Sequence, residues 1–301
     1  MDYDDVVAAS FAARPAGTPL PAAVTAGSAA RRLRDACEPI AMHAVWSRHT
    51  NARLAECGLD FMGAYVAGRA ASLGEPSAAV VAATFAWFDP AMIAAVYQGA
   101  RSTLPTAELI TLRDNATRES LAEVLAGESV EETADLLVAA TANAAFVGHP
   151  LFAGLRARGR PDDAVGRLWW ACDLVREHRG DSHIAAVTDA GLNAVEMNVL
   201  TEVWVGMPLL SYTATRGWSA DTMNSAVRSL GERGWLAEDA LTDMGRAARD
   251  QIEAHPDAQE EAIVAVLGDR LDGVCESLNR WAQLCIEAGA FPADTLKRAA
   301  G

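Results

Sequence analysis

The sequence has almost no lysine, since Lys297 is the only one among 25 basic residues. The 40 acidic residues outnumber the basic ones and give a net charge of −15. DNA-binding domains usually carry a basic footprint, so this balance disfavours DNA as a partner. It disfavours an anionic membrane surface for the same reason. The excess of arginine over lysine is typical of a GC-rich coding genome.

Other signals are missing as well. No run of about 18 apolar residues lacks charge, so no membrane span is predicted. The start, Met-Asp-Tyr-Asp-Asp, is acidic, unlike a secretory signal. The five cysteines form no CxxC pair, which favours reduced, buried thiols and a cytoplasmic location. The sequence contains no GxGxxG, phosphate loop, nucleophile elbow or catalytic cysteine context.

The chain contains two copies of one pattern. RLRDACE at 32–38 recurs as RLWWACD at 167–173, and ATFAWFDPAMIAAV at 83–96 recurs as ATRGWSADTMNSAV at 214–227. Fused copies of one fold tend to pack about an approximate twofold axis, as a homodimer does. Alanine dominates, aromatics are few and strand signals are almost absent, which favours helices. We therefore predict an all-α fold with minimal β structure, built as an intramolecular pseudo-dimer.

Composition divides the chain into four parts. Residues 1–27 are rich in alanine, proline and glycine and are predicted to form a loose arm. The first copy spans 28–153, GLRARGRP at 154–161 is the linker, and the second copy spans 162–301. A long apolar stripe over about 257–288 predicts a pairing surface between copies or between chains.

The second copy carries a distinct local pattern. Pro208–Ala214 reads as a short helix, Thr215–Trp218 as a turn, and Ser219 as the cap of a helix that ends near Arg233. A hairpin with an acidic turn, Ala237–Asp239, follows, and Thr242 caps the next helix. This order of helix, turn, helix, hairpin and helix resembles the MarR-type winged-helix regulators.

The whole chain resembles a family of actinobacterial proteins with two such units in tandem. The resemblance covers about residues 30 to 255 and is carried by REHRGDSH at 176–183, AGL at 190–192 and RGW at 216–218. It implies two tandem winged-helix-like units, of which the first is degenerate, and it implies little about activity.

Sequence-specific DNA binding needs side chains on the recognition helix that reach base edges, and basic residues in the wing that contact phosphate. The candidate DNA contacts in the second copy are Asn224, Arg228 and Arg233. The wing tip is acidic instead, and the matching helix of the first copy has no basic residue before Arg101. We therefore expect weakened DNA binding.

Four of the six histidines form matched pairs across the repeat. His43 lies opposite His178, and His49 lies opposite His183 with one residue of slip. If the first long helices lie near the axis, these imidazoles could converge on one cavity. A break at Gly180 would bring His178 and His183 together. The full set of candidate site residues is His43, His49, Arg69, Arg176, Glu177, His178, Arg179, Asp181 and His183.

Three interpretations of this cluster stay open. It is a salt-bridged helix end, a pocket for a ligand or cofactor, or a metal or haem site with His43, His178 and His183 as ligands. The spacing matches no standard zinc motif. Catalysis, if present, would use His178 with Glu177.

These patterns favour a small-molecule-binding sensor or regulator with an aromatic or planar ligand between the copies. The alternatives are an enzyme of specialised metabolism with a His/Glu metal or haem site, and a regulator that still binds DNA. The chain would act as a monomeric pseudo-dimer or as a homodimer.

Overall fold

A computed structural model describes residues 2–10, 20–21 and 27–300. Almost all regular structure in these ranges is helical, and the two strands found there form one short hairpin. The predicted all-α fold with a minimal β wing is confirmed. Residues 11–19 and 22–26 of the predicted arm lie outside the described residues, while its start forms a helix, Tyr3–Ser10.

We number the elements in chain order. The helices before the second copy are α1 (Tyr3–Ser10), α2 (Ala29–Ala41), α3 (His43–Trp46), α4 (Arg48–Ala55), α5 (Phe61–Ala70), α6 (Ala78–Phe85), α7 (Pro90–Thr103), α8 (Thr106–Val124), α9 (Glu131–Ala142) and α10 (Pro150–Ala157). The second copy contains α11 (Ala164–Asp189), α12 (Ala194–Trp204), α13 (Ala220–Glu232), β1 (Leu236–Ala237), β2 (Ala240–Leu241), α14 (Asp243–Gln259), α15 (Glu261–Leu267), α16 (Leu271–Glu287) and α17 (Thr295–Ala300). Short 3₁₀ turns occupy Ala71–Leu73, Thr213–Arg216 and Gly268–Arg270.

Short polar side chains cap several helices of the first copy. Ser28 accepts a hydrogen bond from the backbone N–H of Arg31, and Asp89 accepts one from that of Met92. Pro90 occupies the first turn of α7, where a missing N–H costs nothing. Helices α4 and α5 are separate, because Gly58 adopts a left-handed φ of 86° between them.

The predicted break at Gly180 is wrong. Helix α11 runs without interruption from Ala164 to Asp189, through Gly180. A glycine inside a helix costs only about 1 kcal/mol relative to alanine, and burial of apolar residues on both sides of it, such as Leu174, Val175 and Val187, outweighs that cost. Residues five apart in a continuous helix point about 140° apart, so His178 and His183 face different neighbours.

The second helix of the helix-turn-helix and the wing of the second copy follow the prediction closely. The helix predicted over Pro208–Ala214 is wrong, because turns and the 3₁₀ segment Thr213–Arg216 occupy this stretch. The Ser219 hydroxyl caps α13 by accepting from the N–H of Thr222, and the Thr242 hydroxyl caps α14 by accepting from that of Gly245. Strand β1 pairs antiparallel with β2, with Leu236 opposite Leu241. The first copy has the corresponding helices α5 to α8 but passes from α7 to α8 without a hairpin.

The two copies meet along α2 and α11. The matched residues Cys37 and Cys172 are both fully buried there, and their thiols interact. The indole N–H of Trp169, on α11, donates to the carbonyl of Ala41 at the end of α2. Contact between equivalent residues is what an approximate twofold axis produces.

The last long helices complete this central core. The predicted apolar stripe contributes the buried residues Ile263, Leu267, Leu271, Val274, Leu278 and Trp281. They share one hydrophobic cluster with α2, α9 and α11. Four cysteines are buried and free, as expected, and Cys57 is exposed.

The segment predicted as a linker is partly helical. Its first residues, 154–157, belong to α10, and Gly154 packs against the backbone of Ser72 so closely that a Cβ atom would lie 2.0 Å from the Ser72 carbonyl oxygen. Only glycine fits this approach. The irregular stretch before α11 is therefore shorter than predicted.

Candidate functional site

A cavity of about 480 Å³ lies between the two copies. Helices α2 and α5 of the first copy form one side of it, and α11, α12 and α14 of the second form the other. Helix α1 and the C-terminal α17 also contribute lining residues. The volume suits a small organic molecule.

Aromatic and methionine side chains form much of the wall. The aromatic lining residues are Trp46, Phe61, Tyr65, Trp87, Phe88, Tyr212 and Phe291, and the methionines are Met42, Met62, Met92 and Met197. Large flat rings favour a planar apolar ligand by stacking and edge contacts, and methionine adapts to irregular shapes.

The charged part of the lining is strongly cationic. Among the described residues that line the cavity, the cations are Arg31, Arg34, Arg69, Arg176, Arg179, Arg216, Arg249 and Lys297, and the carboxylates are Asp5, Glu38 and Glu253. This excess of positive charge contrasts with the chain's net charge of −15.

Glu177 holds two of these arginines. Arg69 donates to both of its carboxylate oxygens at 2.8 and 2.7 Å, and Arg176 donates at 2.8 Å. Arg176 also pairs with Glu38 at 3.2 Å. Burial alone would raise the pKa of Glu177, but the guanidinium groups of Arg69 and Arg176 outweigh it and lower that pKa. Arg69 therefore has Glu177 as its ion-pair partner.

Glu253, on α14, accepts hydrogen bonds from three other arginines of the cavity wall. One oxygen accepts from Arg31 and Arg179, each at 2.5 Å, and the other accepts from Arg249 at 2.7 Å. The side chain of Glu253 is 13% exposed. Burial opposes its ionisation, yet Arg249, Arg31 and Arg179 together hold its pKa well below the usual range.

Arg216 and Lys297 differ from the other cations of the wall, because neither forms an ion pair with any Asp or Glu of the described residues. Arg216 lies over the rings of Phe88 and Tyr212, at 4.5 and 4.3 Å, and donates to the Tyr212 hydroxyl. The Lys297 ammonium lies 5.2 Å from the centre of the Tyr212 ring. Neither residue belongs to the predicted site, although Arg216 lies in the RGW motif and Lys297 is the only lysine in the sequence.

Of the paired histidines, the structure brings His183 alone to the cavity wall. Its ring lies 5.4 Å from that of Trp87, and its Nε2 has no hydrogen-bond partner among the described residues. Burial, and then the nearby Arg249, lower the pKa of His183 to about 3. The ring is therefore neutral at physiological pH.

The other three histidines lie elsewhere, so the predicted convergence does not occur. His43 is buried with its Nε2 3.0 Å from the Ser120 hydroxyl, and His49 lies at the surface beside Glu119. His178 stacks on His149, with ring centres 4.2 Å apart. The unbroken α11 is the reason, because it turns His178 toward α10 and away from His183.

This separation matters for the predicted metal or haem site. The described residues contain no group of three or more histidine, cysteine or carboxylate side chains placed to hold a metal ion. His43, His178 and His183 in particular cannot share one ion. The predicted ligands therefore do not fit a metal centre.

Asp181 also faces away from the cavity. Its carboxylate accepts a hydrogen bond from the N–H of Phe152 at 3.1 Å, in the first turn of α10. Burial, and then the charge of Glu177, raise the pKa of Asp181 to about 7. Asp181 therefore connects α11 to α10 as a structural residue.

The raised pKa gives a testable pH dependence. Between the ordinary value of 3.8 and about 7, the folded protein binds a proton at Asp181 that the unfolded chain does not. Wild-type stability at this site is present at low pH and is lost as pH rises toward 7. Relative to wild type, D181N should gain about 2 kcal/mol between pH 5 and pH 8, measured by urea unfolding. D189N, an exposed carboxylate of α11, controls for loss of a charge, and a difference that is constant with pH would contradict the assignment.

The candidate DNA contacts lie on and after α13. Asn224 and Arg228 are exposed, as base contacts must be. Arg233 is exposed too, but it donates to the Gly191 carbonyl and lies 5.4 Å from the centre of the Trp235 ring. Two of the three are therefore free to reach a partner molecule.

The comparisons with known proteins give one match. A model of a helix-turn-helix family matches residues 30–292. No curated protein and no solved structure matches the chain significantly. Within the described residues, no helix is both long enough and apolar enough to cross a membrane. The family match spans both copies, the cavity between them and the wing, and the chain thus belongs to a helix-turn-helix family.

Proposed function

We propose that this protein is a regulator-type sensor of MarR-like descent that binds a planar, aromatic small molecule between its two copies and has weakened DNA binding. The cavity of about 480 Å³ with aromatic and methionine walls carries the proposal. Ligand pockets are mostly apolar, with a few polar groups that fix orientation. Arg69, Arg176, Arg179 and His183, from the predicted site, supply polar groups here.

The short distance between the two candidate recognition helices, α7 of the first copy and α13 of the second, supports the weakened DNA binding. The N–H of Asp89, which caps α7, donates to the carbonyl of Arg216 at 2.9 Å, three residues before the cap of α13. The indole of Trp218 donates to the carbonyl of its matched residue, Trp87, at 3.0 Å. Consecutive Cα atoms are 3.8 Å apart, so the two helix starts lie within roughly 17 Å of each other.

Paired recognition helices read half-sites about 34 Å apart, and they contact bases mainly through their N-terminal residues. In this structure the starts of α7 and α13 are too close together to enter successive major grooves. The acidic wing tip, Glu238 and Asp239, is exposed and would meet phosphate with negative charge.

A cavity-filling variant tests ligand binding. At Gly180 a Cβ atom would have its nearest contacts at 3.9 Å, to Arg69 and Glu177, so G180L extends into the cavity without disturbing the helix. We expect the affinity for N-phenyl-1-naphthylamine, a neutral aromatic probe that fluoresces when buried, to fall at least tenfold in G180L. The melting temperature should not fall, because glycine is the poorer helix former.

The control is G273L, the same change at an exposed position of α16 where a Cβ atom meets nothing within 4 Å. It should bind the probe as wild type does. The proposal fails if wild type does not bind the probe, or if G180L and G273L bind it equally.

A further inference from the structure

Two cations of the cavity wall have no acidic partner. The other six cavity cations, which are Arg31, Arg34, Arg69, Arg176, Arg179 and Arg249, each form an ion pair with a carboxylate. Arg216 and Lys297 form none with the Asp and Glu of the described residues, and the undescribed residues contain no Asp or Glu. At one end of the cavity, therefore, two positive charges have no carboxylate in ion-pair contact.

The two groups lie close to each other around Tyr212. Burial and the neighbouring charge of Arg216 both lower the pKa of Lys297. The Nε of Arg216 is buried and donates to no atom of the described residues. The carboxylate of Asp294 raises the pKa of Lys297, but by less than burial and Arg216 lower it, and it forms no ion pair with the ammonium. That carboxylate accepts a hydrogen bond from the N–H of Leu296 at the start of α17.

Like charges held together without an acidic partner in contact are unfavourable, and a bound anion relieves the repulsion. A guanidinium donates hydrogen bonds in a planar fork that matches a carboxylate or phosphate, and an ammonium adds a point charge with rotatable donors. Phe88 and Tyr212 are aromatic surfaces beside these groups, against which the apolar part of the same molecule can pack.

We propose that the ligand is an aromatic anion whose acidic group binds between Arg216 and Lys297. This inference rests on the proposed function, because it names the chemical class of the molecule that occupies the cavity. It also assigns a role to the only lysine in the chain. His183, neutral and unpartnered elsewhere on the wall, remains available to a polar substituent of the same molecule.

A matched pair of competitors tests it. 2-Naphthoate and 2-naphthamide differ in charge but hardly in shape, and each is titrated against wild type loaded with N-phenyl-1-naphthylamine. We expect 2-naphthoate to displace the probe at a concentration at least tenfold below that of 2-naphthamide. In K297M this preference should fall at least fivefold, with the 2-naphthamide value unchanged, and K297R should restore it.

R216M gives a second, independent variant, with the same loss of preference expected. R32M removes a positive charge from the exposed pair that Arg32 forms with Asp272, so it controls for net charge and should behave as wild type. Equal displacement by the two competitors, no displacement by 2-naphthoate, or an unchanged preference in both K297M and R216M would overturn the anion assignment alone. Failure of the probe itself to bind wild type would overturn the proposed function as well.

Discussion

Replacing Glu253 with glutamine is expected to destabilise the protein by about 3–5 kcal/mol, the usual effect of breaking a buried ion pair. Glu253 is the shared partner of Arg31, Arg179 and Arg249, all of which are buried. In the variant, these three buried guanidinium groups lose the carboxylate that they share. Thermal unfolding followed by circular dichroism should show a melting temperature lower by roughly 10 °C.

The matched control is D272N. Asp272 pairs with Arg32 at the same kind of distance, 3.0 Å, but the two side chains are 75% and 52% exposed. Exposed pairs contribute about 0–1 kcal/mol, so the melting temperature should move by no more than a few degrees. Similar losses in E253Q and D272N would show that the Glu253 cluster has no special energetic role.

The second large effect is expected at the wing. Replacing Glu238 and Asp239 with lysine exchanges two repelling charges for two that can contact phosphate. Each phosphate contact strengthens binding by roughly eightfold when the salt concentration falls tenfold, from 1 M to 0.1 M. Two new contacts therefore predict that the affinity for a random 20-base-pair duplex at 0.1 M salt rises roughly 50-fold. The plot of log affinity against log salt concentration should also become steeper, by about the slope that two phosphate contacts contribute. Fluorescence anisotropy of the labelled duplex measures both.

The control introduces the same change of charge at a surface outside the wing. D269K with D272K changes the net charge identically, at exposed positions that lie outside the wing and α13. A gain confined to the wing variant identifies the hairpin as the surface nearest to DNA. An equal gain in both variants would mean that overall charge, and not the wing, limits binding.

Helix α13 and the hairpin that follows it could be predicted from sequence, because each depends on residues within a few positions. Ser219 and Thr242 are cap residues with helices directly after them, and the two-residue acidic turn between Leu236 and Leu241 allows only a tight hairpin. Each of these features depends on neighbours within a few positions. The structure therefore contains them nearly where the pattern predicts them.

The interior of α11 shows where such reasoning fails. Gly180 resembles a helix end in sequence, but burial of the residues around it keeps the helix continuous. That single difference turns His178 away from His183 and removes the predicted histidine cluster. The repeat correctly pairs α2 with α11 at the centre, as Cys37 and Cys172 show, but symmetry of sequence does not fix where each side chain points.

Arg216 and Lys297 could not be paired from sequence, since 80 residues separate them and their common neighbour, Tyr212, gives no pattern with both. The excess of arginine over lysine is typical of a GC-rich coding genome, so composition alone gives the one lysine no special role. Tertiary packing of α17 beside the second copy, through Leu296 and Ala299, is what brings that lysine to the cavity.

The distribution of charge has a kinetic consequence. Because the cavity concentrates positive charge, the rest of the molecule is even more negative than the net charge of −15. A negatively charged ligand that approaches from a distance is therefore repelled before it is attracted, and dissolved ions weaken the long-range repulsion more than the short-range attraction. Its association rate constant should rise with ionic strength, the reverse of the behaviour of electrostatically steered complexes.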